Sequence, residues 1–414
     1  MKKIRVDDLG KIVTGKTPRT NIPENYGGNV PFLTPTDDLS PMKCRTTLNT
    51  ISELGLKEVK NCIIPKDSIC VSCIGSDMGH AIMTSKPTVT NQQFNSIIPS
   101  KDYHPEYVYY LMVLLGRMMK SKFGKSSTAV PIVSKSLFSS FEIYIEDDKR
   151  KQKEISDVLA NIDEKIALNT RMNAELEAMA KQLYDYWFVQ FDFPDENGNP
   201  YKSSGGKMVY NSTLKREIPA GWEVKEISDI TEIKSGYPFK SENMNEYKGK
   251  YKIVTIRNVQ ENNLDLSNIS YTDIIPDNIK SYCILKEKDI LISLTGNVGR
   301  TCLVYENGLL LNQRVGLVQP KNSNVPWCYS IFKDKSIRTA VENWANGCAQ
   351  ANVSPLDIER LKIPVPSNDI LQYFDKSVKP MIERQIKIAK QNNYLTHLRD
   401  SLLPMLMNGQ VTVE

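Results

Sequence analysis

Three short motifs in the sequence could carry chemistry, and the first is a possible phosphate site. Residues 10–17, Gly-Lys-Ile-Val-Thr-Gly-Lys-Thr, match the pattern GxxxxGK[ST] of a P-loop. A P-loop needs a helix that begins at its lysine, so that backbone amides point at the phosphate. Pro18 and Pro23 follow closely and leave no room for a helix of useful length. We therefore predict no nucleotide site here.

The second motif is a possible redox or metal site. Cys70-Val-Ser-Cys73 is formally a CxxC pair, but the segment alternates like a strand, and three histidines leave few metal ligands. Asp195, followed by Glu223 and Lys225, imitates a metal-nuclease pattern, although Asp195 lies in a turn-rich stretch. The sequence contains no Asn-Pro-Pro-aromatic or Asp-Pro-Pro-aromatic tetrapeptide to hold a target base, and no Gly-x-Ser-x-Gly elbow. We predict no catalytic residue and no metal site in this chain.

The composition is that of an ordinary globular protein with two or three domains. The 414 residues are 40% hydrophobic and 24% charged, and eight cysteines are too few for a disulfide framework at this length. We find no apolar run long enough for a membrane span and no signal peptide, so we expect a cytoplasmic protein with no membrane partner. The net charge of +5 permits nucleic-acid binding without requiring it.

The chain contains a long internal repeat, with a period of about 220 residues. Lys66-Asp67 through Gly79 returns as Lys288-Asp289 through Gly299, with small shifts that loop insertions would cause. The other repeated pairs are Asn91-Gln92 with Asn312-Gln313 and Val133-Ser134 with Val353-Ser354. A period of this length indicates a duplicated domain rather than a solenoid of short units.

Hydrophobic periodicity predicts an α+β protein in which two β-rich domains alternate with two long helices. We place the first domain at 1–147, with short strands and one helix from Pro105 to about Met119, and the second at 217–366. A central helix is expected over 148–192, a polar linker over 193–216, and a distal helix over 367–414. Pro380 and Pro404 should kink or interrupt the distal helix.

Apolar residues recur at heptad spacing in both predicted helices, which favours a coiled-coil-like antiparallel pair. Lys165 and Asn169 are the polar exceptions in the central helix. Two amphipathic helices that each cover their own domain are the alternative. The residues assigned to helix pairing are Ile155, Val158, Ile162, Met172, Leu176, Met179, Leu183, Met381, Ile388, Leu395, Leu398 and Leu402.

The repeated turns are rich in side chains that can read base edges: Arg and Lys pair with guanine, Asn and Gln with adenine, and Ser and Thr with phosphate or either base. The same residue types also favour turns for backbone reasons. Asn91 and Asn312 recur in both copies, which indicates a structural role. Residues that differ between copies, such as Gln93 and Arg314, or His80 and Arg300, are better candidates for base contact. The candidates are Lys16, Arg19, Thr36, Ser76, His80, Gln92, Gln93, Lys125, Ser126, Arg257, Asn258, Asn297, Arg300, Gln313, Arg314, Asn346 and Gln350.

This order of domain, helix, domain and helix resembles the specificity subunit of type I restriction–modification systems. The resemblance covers essentially the whole chain and rests on several phrases in order. They are Gln152-Lys-Glu-Ile155 through Ile162-Asp-Glu-Lys165, Trp222-Glu-Val-Lys225, Lys288-Asp-Ile-Leu-Ile-Ser293 with Asn312-Gln313, and Leu398-Arg-Asp-Ser-Leu-Leu-Pro404.

The resemblance implies two target-recognition domains, each reading one half of an asymmetric bipartite site in double-stranded DNA. The helices would set the spacing between the halves and dock two methyltransferase subunits, which methylate adenine N6 with S-adenosylmethionine. Restriction subunits would add ATP- and Mg-dependent translocation and cleavage, and this chain would hold no cofactor. Two alternatives remain: the specificity subunit of a fused restriction–modification enzyme, and a protein scaffold that binds no DNA.

Overall fold

The computed structural model describes residues 1–75, 78–124, 131–246, 248–322, 324–345 and 352–413. Its contacts divide the chain into unit 1, which is Met1–Leu168 with Tyr394–Glu414, and unit 2, which is Asn169–Asn393. Each unit contains one β-rich domain and parts of both long helices. No helix within the described ranges combines the length and hydropathy that a membrane crossing needs.

Unit 1 is built on two main β-sheets. One sheet has the strand order β2-β10-β7-β8-β4, the other has the order β5-β3-β9-β6, and β1 pairs with β11. The strands are β1 (Lys2–Arg5), β2 (Gly10–Thr14), β3 (Tyr26–Leu33), β4 (Lys43–Cys44), β5 (Asn49–Ile51), β6 (Ile63–Ile64), β7 (Ile69–Ser72), β8 (Ala81–Thr84), β9 (Thr88–Thr90), β10 (Phe94–Pro99) and β11 (Glu142–Ile145). All four residues of β7 are buried, as a central strand covered on both faces requires.

The helices of unit 1 are α1 (Glu53–Glu58), α2 (Pro105–Phe123), α3 (Lys135–Ser140) and the start of α4 (Lys149–Tyr184). The sequence predicted α2 correctly, and Pro105 stands in its first turn, where a missing amide costs little. Tyr107, Met112 and Leu115 of α2 are buried in the core of this unit. The backbone of α2 approaches the loop at Gly79 so closely that a Cβ on Gly116 would lie 1.9 Å from the Gly79 carbonyl oxygen.

Unit 2 repeats this architecture. The strand orders are β15-β23-β20-β21 and β19-β16-β22, with the pairs β14-β24, β12-β13 and β17-β18. The strands are β12 (Met208–Asn211), β13 (Arg216–Pro219), β14 (Glu223–Glu226), β15 (Thr231–Ser235), β16 (Tyr251–Val254), β17 (Val259–Gln260), β18 (Asn263–Leu264), β19 (Ser270–Thr272), β20 (Ile290–Ser293), β21 (Thr301–Leu303), β22 (Leu310–Leu311), β23 (Val315–Pro320) and β24 (Lys362–Val365). The helices are α5 (Ile227–Ile230), α6 (Val325–Ile331), α7 (Lys335–Ala345), α8 (Pro355–Glu359) and α9 (Asn368–Met407).

The pairing of the strands confirms the predicted duplication. In unit 1, β10 pairs with β2 and β7, and β7 with β8; in unit 2, β23 pairs with β15 and β20, and β20 with β21. The alignment of Lys66-Asp67 with Lys288-Asp289 is wrong by one residue. Asp67 and Lys288 both adopt a left-handed conformation, with φ of 65° and 75°, immediately before the turn into the central strand. The structural equivalents in this motif are therefore Asp67 and Lys288.

The two long helices pair within unit 2 in antiparallel orientation, as predicted. The Nδ2 of Asn169 in α4 donates to Gln391 Oε1 at 3.0 Å and to Asn392 Oδ1 at 2.8 Å in α9. Further along α4, Glu177 Oε2 accepts from Gln385 Nε2 of α9 at 2.9 Å. The residue numbers of the contacts therefore increase along α4 while they decrease along α9, as in an antiparallel pair. The polar exception at Asn169 is thus a buried contact between the helices.

Most of the residues assigned to helix pairing are not the most deeply buried ones in these helices, although Asn169, a polar exception in the predicted register, is buried. The predicted residues Ile155, Val158, Ile162, Met172, Leu176, Leu183, Met381, Leu395, Leu398 and Leu402 are only half-buried. Met179 is 53% exposed, whereas Ile388 is buried as expected. The most buried face lies one residue later, at Ser156, Leu159, Ala180, Tyr184, Ile382 and Leu403. Pro380 and Pro404 were expected to kink or interrupt α9, and the helix continues through both positions without an interruption.

The segment 193–216, predicted as a polar linker, is folded and packs on the core of unit 2. Its β12 forms a hairpin with β13, and Phe193 stacks on Tyr201 with ring centroids 4.7 Å apart. Phe193 also stacks on Trp222 at 5.3 Å. The many turn residues of the segment conceal these aromatic contacts, so composition alone indicates a linker where the chain forms a compact element.

Candidate functional site

The motifs that imitate catalytic sites are structural. Gly10–Thr14 is strand β2, and residues 15–22, all of them described, contain no helix after Lys16. Burial raises the pKa of Cys70 to about 12 and that of Cys73 to about 11, so neither thiol favours the thiolate that redox and metal chemistry need. Asp195 accepts the amides of its own turn. The described residues hold no cluster of three or more potential metal ligands.

One repeated turn presents the side chains that differ most between the copies. In unit 2 the turn Asn312–Arg314 joins β22 to β23, and Asn312 Oδ1 accepts the backbone amide of Arg314 at 3.3 Å. The amide of Asn312 donates to the Val254 carbonyl at 3.0 Å, and that of Gln313 to the Tyr237 carbonyl at 3.0 Å. These bonds fix the backbone while the side chains of Gln313 and Arg314 remain exposed.

The equivalent turn of unit 1 is held in the same way. Asn91 Oδ1 accepts the amide of Gln93 at 3.1 Å, and the Asn91 amide donates to the Leu33 carbonyl at 3.1 Å. A glycine packs against each turn, where a side chain would not fit. A Cβ on Gly15 would lie 2.2 Å from the Asn91 carbonyl oxygen, and a Cβ on Gly236 would lie 2.3 Å from the Leu311 carbonyl oxygen. The predicted structural role of Asn91 and Asn312 is confirmed.

A second repeated turn surrounds the other pair of differing residues. Ser72 Oγ accepts the amide of His80 at 2.9 Å in unit 1, and Ser293 Oγ accepts the amide of Arg300 at 3.0 Å in unit 2. His80 and Asn297 are exposed. The Arg300 guanidinium is already engaged, since its Nη1 donates to Gln260 Oε1 at 2.7 Å.

A cavity of about 640 Å³ lies beside the turn Asn312–Arg314 in unit 2. It forms because a β-bridge between Thr295 and Asn352 brings the chain before α8 against the end of β20. The Thr295 Oγ1 is buried and has no hydrogen-bond partner among the described residues. The lining is Ser235, Leu294, Thr295, Gln313, Arg314, Asn352, Val353, Ser354 and Pro355, none of which is acidic.

Sequence reasoning missed Ser235, Thr295 and Ser354. The displaced sequence alignment matched Thr295 with Cys73, whereas the structural equivalent of Cys73 is Leu294. The Cys73 amide donates to the Gln93 carbonyl in unit 1, and the Leu294 amide donates to the Arg314 carbonyl in unit 2. The correct partner of Thr295 is Ile74, which makes the corresponding bridge in unit 1. This change from an apolar to a polar residue was the available signal.

The remaining candidates of unit 1 lie in loops around the first turn. Lys16 Nζ donates to the Glu58 carbonyl at 3.3 Å, and the Arg19 amide donates to the Glu58 carboxylate at 2.9 Å. Thr36 shares a hydroxyl hydrogen bond of 2.7 Å with Thr34. Gln92 Oε1 accepts from Thr17 at 2.6 Å, and Gln93 Oε1 accepts from Asn91 Nδ2 at 2.8 Å. The side chains of Lys16, Thr36, Gln92 and Gln93 are thus tied to their neighbours, whereas Arg19 bonds through its backbone amide and its side chain is exposed.

Asn258 is the candidate that the structure contradicts. It is 2% exposed, its Oδ1 accepts from the amide and hydroxyl of Thr255, and its Nδ2 donates to the Asp265 carbonyl. It therefore holds a turn and cannot face a ligand, whereas its neighbour Arg257 is exposed. Ser76, Lys125, Ser126, Asn346 and Gln350 lie outside the described residues.

Comparisons with known proteins agree with this duplicated arrangement. The chain is 28% identical to the specificity subunit of the type I restriction enzyme MjaIX of Methanocaldococcus jannaschii, over 100% of this chain and 94% of that protein. It is 22% identical to the HindI specificity subunit of Haemophilus influenzae, over 82% and 83% of the two chains. The crystal structure of a type I restriction–modification S subunit from M. genitalium shares the fold, with a TM-score of 0.56 and 16% identity over 98% and 96% of the chains.

A family model described as the type I restriction modification DNA specificity domain matches the chain twice, at residues 1–178 and 219–392. The two matches correspond to the two copies of the repeat and together cover most of the sequence. The chain therefore belongs to the family of type I restriction–modification specificity subunits.

Proposed function

We propose that this chain selects the DNA sequence on which a type I restriction–modification complex acts, with each unit reading one half of an asymmetric bipartite site. The repeated turn carries this proposal. Asn91 and Asn312 hold equivalent backbones, and the side chain two positions later is Gln93 in one unit and Arg314 in the other, so the two units offer different hydrogen-bonding groups from the same scaffold. Such a pair would recognise two different half-sites.

The proposal gives the long helices two tasks, which are to set the spacing of the half-sites and to dock two methyltransferase subunits. The antiparallel pairing of α4 and α9 in unit 2 supports the first task. Exposed apolar side chains on both helices support the second, because a surface that docks a partner is expected to carry apolar and aromatic groups at its centre. They include Leu168 and Met179 of α4 and Tyr373, Tyr394 and Met405 of α9.

The chemistry would belong to the partners. S-adenosylmethionine would bind the methyltransferase subunits for adenine-N6 methylation, and ATP and Mg would bind the restriction subunits. A cytoplasmic location, with access to the DNA, is part of the same proposal.

A domain exchange tests the proposed function. Residues 1–147 would be replaced by the matching domain of another family member, and the hybrid expressed with the methyltransferase subunits. Methylated adenines would then be mapped across a genome. We expect one half of the recognised sequence to change while the other half and the adenine chemistry persist. A change in both halves, or methylation without any bipartite motif, would contradict the proposal.

A further inference from the structure

The cavity of unit 2 is lined by the cationic side chain of Arg314 and by no acidic residue among those that the structure describes. The guanidinium of Arg314 makes no hydrogen bond or ion pair within the described part of the chain, and none of the residues that line the cavity is acidic. Its backbone is nevertheless fixed through Asn312. An arginine whose backbone is fixed and whose guanidinium has no partner among the described residues can bind a ligand that offers hydrogen-bond acceptors.

The groups around Arg314 favour a base edge. Gln313, Asn352 and the hydroxyls of Ser235 and Ser354 line the same cavity, and the buried Thr295 Oγ1 lacks a partner among the described residues. A guanine offers two adjacent acceptors, N7 and O6, in the major groove, which match the two parallel donors of a guanidinium fork. The neutral hydroxyl and amide groups can bond to base edges or to phosphate, so the match of the guanidinium fork to guanine is what favours a base edge.

The other arginine among the differing residues does not offer this arrangement. The Arg300 guanidinium is bound to Gln260 Oε1. At the position of Arg314, unit 1 carries Gln93, whose Oε1 already accepts from Asn91. Among these positions, Arg314 has the guanidinium that is unbound in the described structure.

We propose that Arg314 is a specificity-determining residue that reads a guanine in the half-site of unit 2, with Thr295 as a positioning residue whose bridge to Asn352 forms the wall of the cavity. This inference rests on the proposed function. It adds the identity of one recognised base and the side chain responsible for it.

The test uses the complete complex with its methyltransferase subunits and compares native chain with Arg314→Ala, Arg314→Lys and Thr295→Val. Methylated sites are mapped, and binding is measured on duplexes that carry each of the four bases at every position of the unit 2 half-site. We expect a guanine in that half-site of the native protein. Arg314→Ala should lower the preference for guanine over the other bases about 5- to 150-fold, as the loss of a bidentate base contact does. The half-site read by unit 1 should stay unchanged.

The lysine variant separates base reading from phosphate binding. Lys keeps the charge but lacks the planar fork, so Arg314→Lys should lose most of the guanine preference while retaining overall affinity. Thr295→Val should weaken the same position by a smaller factor. Arg360→Ala is the control, because Arg360 is an exposed arginine of unit 2 that is not among the residues lining the cavity. Its Nη1 lies 3.9 Å from Asp357 Oδ1, and its removal should preserve the preference for guanine.

Three results would overturn the inference: a native unit 2 half-site without guanine, equal loss of affinity for all four bases in Arg314→Ala, or full guanine preference in Arg314→Lys. Each of these leaves the bipartite motif intact. Failure of the proposed function would instead appear in the native protein, as methylation that follows no bipartite motif.

Discussion

The Nη1 of Arg399 in α9 lies 2.8 Å from the Oδ1 of Asp163 in α4, and this ion pair joins the two helices within unit 1. The Tyr110 hydroxyl of α2 donates to the other carboxylate oxygen of Asp163 at 2.7 Å. The side chain of Asp163 is only 10% exposed and that of Arg399 25%. Because both side chains are largely removed from water, Asp163 depends on these donors for compensation, while Arg399 also donates to Asp400 Oδ1 at 3.0 and 3.1 Å.

We expect Asp163→Ala to lower the free energy of unfolding by about 1–3 kcal/mol, because it removes the carboxylate acceptor of the Tyr110 hydroxyl and the α4 partner of Arg399, which keeps Asp400. Urea denaturation of the purified chain measures this. The exposed pair Lys153 and Asp157 in α4 provides the control, and Asp157→Ala should cost less than about 1 kcal/mol. Similar losses in the two variants would contradict the role assigned to Asp163.

The contact between Gly116 and Gly79 predicts a second stability effect. Alanine normally stabilises a helix relative to glycine by about 1 kcal/mol. At position 116 the added Cβ would lie 1.9 Å from the Gly79 carbonyl oxygen, so we expect Gly116→Ala to destabilise unit 1 by about 2–4 kcal/mol instead. Thermal denaturation measures the loss. Lys120→Ala, at an exposed position of the same helix, should leave stability nearly unchanged.

The carboxylate of Asp375 predicts a pH dependence. Burial raises its pKa to about 6, although it accepts the Trp327 amide at 3.2 Å. The Asp375 carboxyl group therefore binds its proton more tightly in the folded state than in the unfolded state, where its pKa is near 3.9. The stability that this protonation contributes is lost as pH rises from about 4 to 6. Asp375→Asn should remove that loss.

Urea denaturation at pH 4.5 and 7.5 tests the sign. Between pH 4.5 and pH 7.5, the free energy of unfolding of Asp375→Asn should rise by about 1 kcal/mol relative to that of the native chain. This figure is reduced for the partial exposure of the carboxyl group. Asp277→Asn, at an exposed position of the same unit, is the control. A relative gain toward acid pH in Asp375→Asn would contradict this linkage.

The boundaries of the two units suggest a test of the spacing role of the helices. One heptad inserted after Leu168 in α4 and another after Asn393 in α9 would leave the internal contacts of each unit intact. Seven helical residues add about 10 Å, which corresponds to about three base pairs of B-DNA. We expect the gap in the methylated motif to lengthen accordingly.

An insertion in α4 alone is the matched control. It would leave Asn169 aligned with Asn392 in unit 2 but displace Asp163 from Arg399 in unit 1, and it should abolish methylation. If the paired insertions left the gap at its native length, the helices would not determine the spacing.

Periodicity predicted the elements well, because β7, α2 and the long helices are defined by local alternation and length. It placed the packed face of α4 one residue early, since this face includes polar residues that find specific partners. Gln152, for example, accepts the His104 amide at 2.9 Å and donates to the Glu146 carbonyl at 2.8 Å. A hydrophobic pattern does not register such contacts, because they depend on residues distant in sequence.

The same limit applies to the candidate site. The sequence showed that Asn91 and Asn312 share a role and that Arg314 differs from its counterpart. It did not show that Asn258 is buried, because an asparagine that holds a turn and one that faces DNA have the same local sequence. The cavity also depends on the bridge between Thr295 and Asn352, which joins distant parts of the chain.

The backbone bonds at Asn312 have an evolutionary consequence. Folding depends on the asparagine and on the glycine opposite it, whereas the next two side chains contribute little to the interior and can change at small energetic cost. New preferences can therefore arise by drift at Gln313 and Arg314 without compensating changes elsewhere. A combinatorial library at these two positions should remain largely folded, and it offers a direct route to altered target choice.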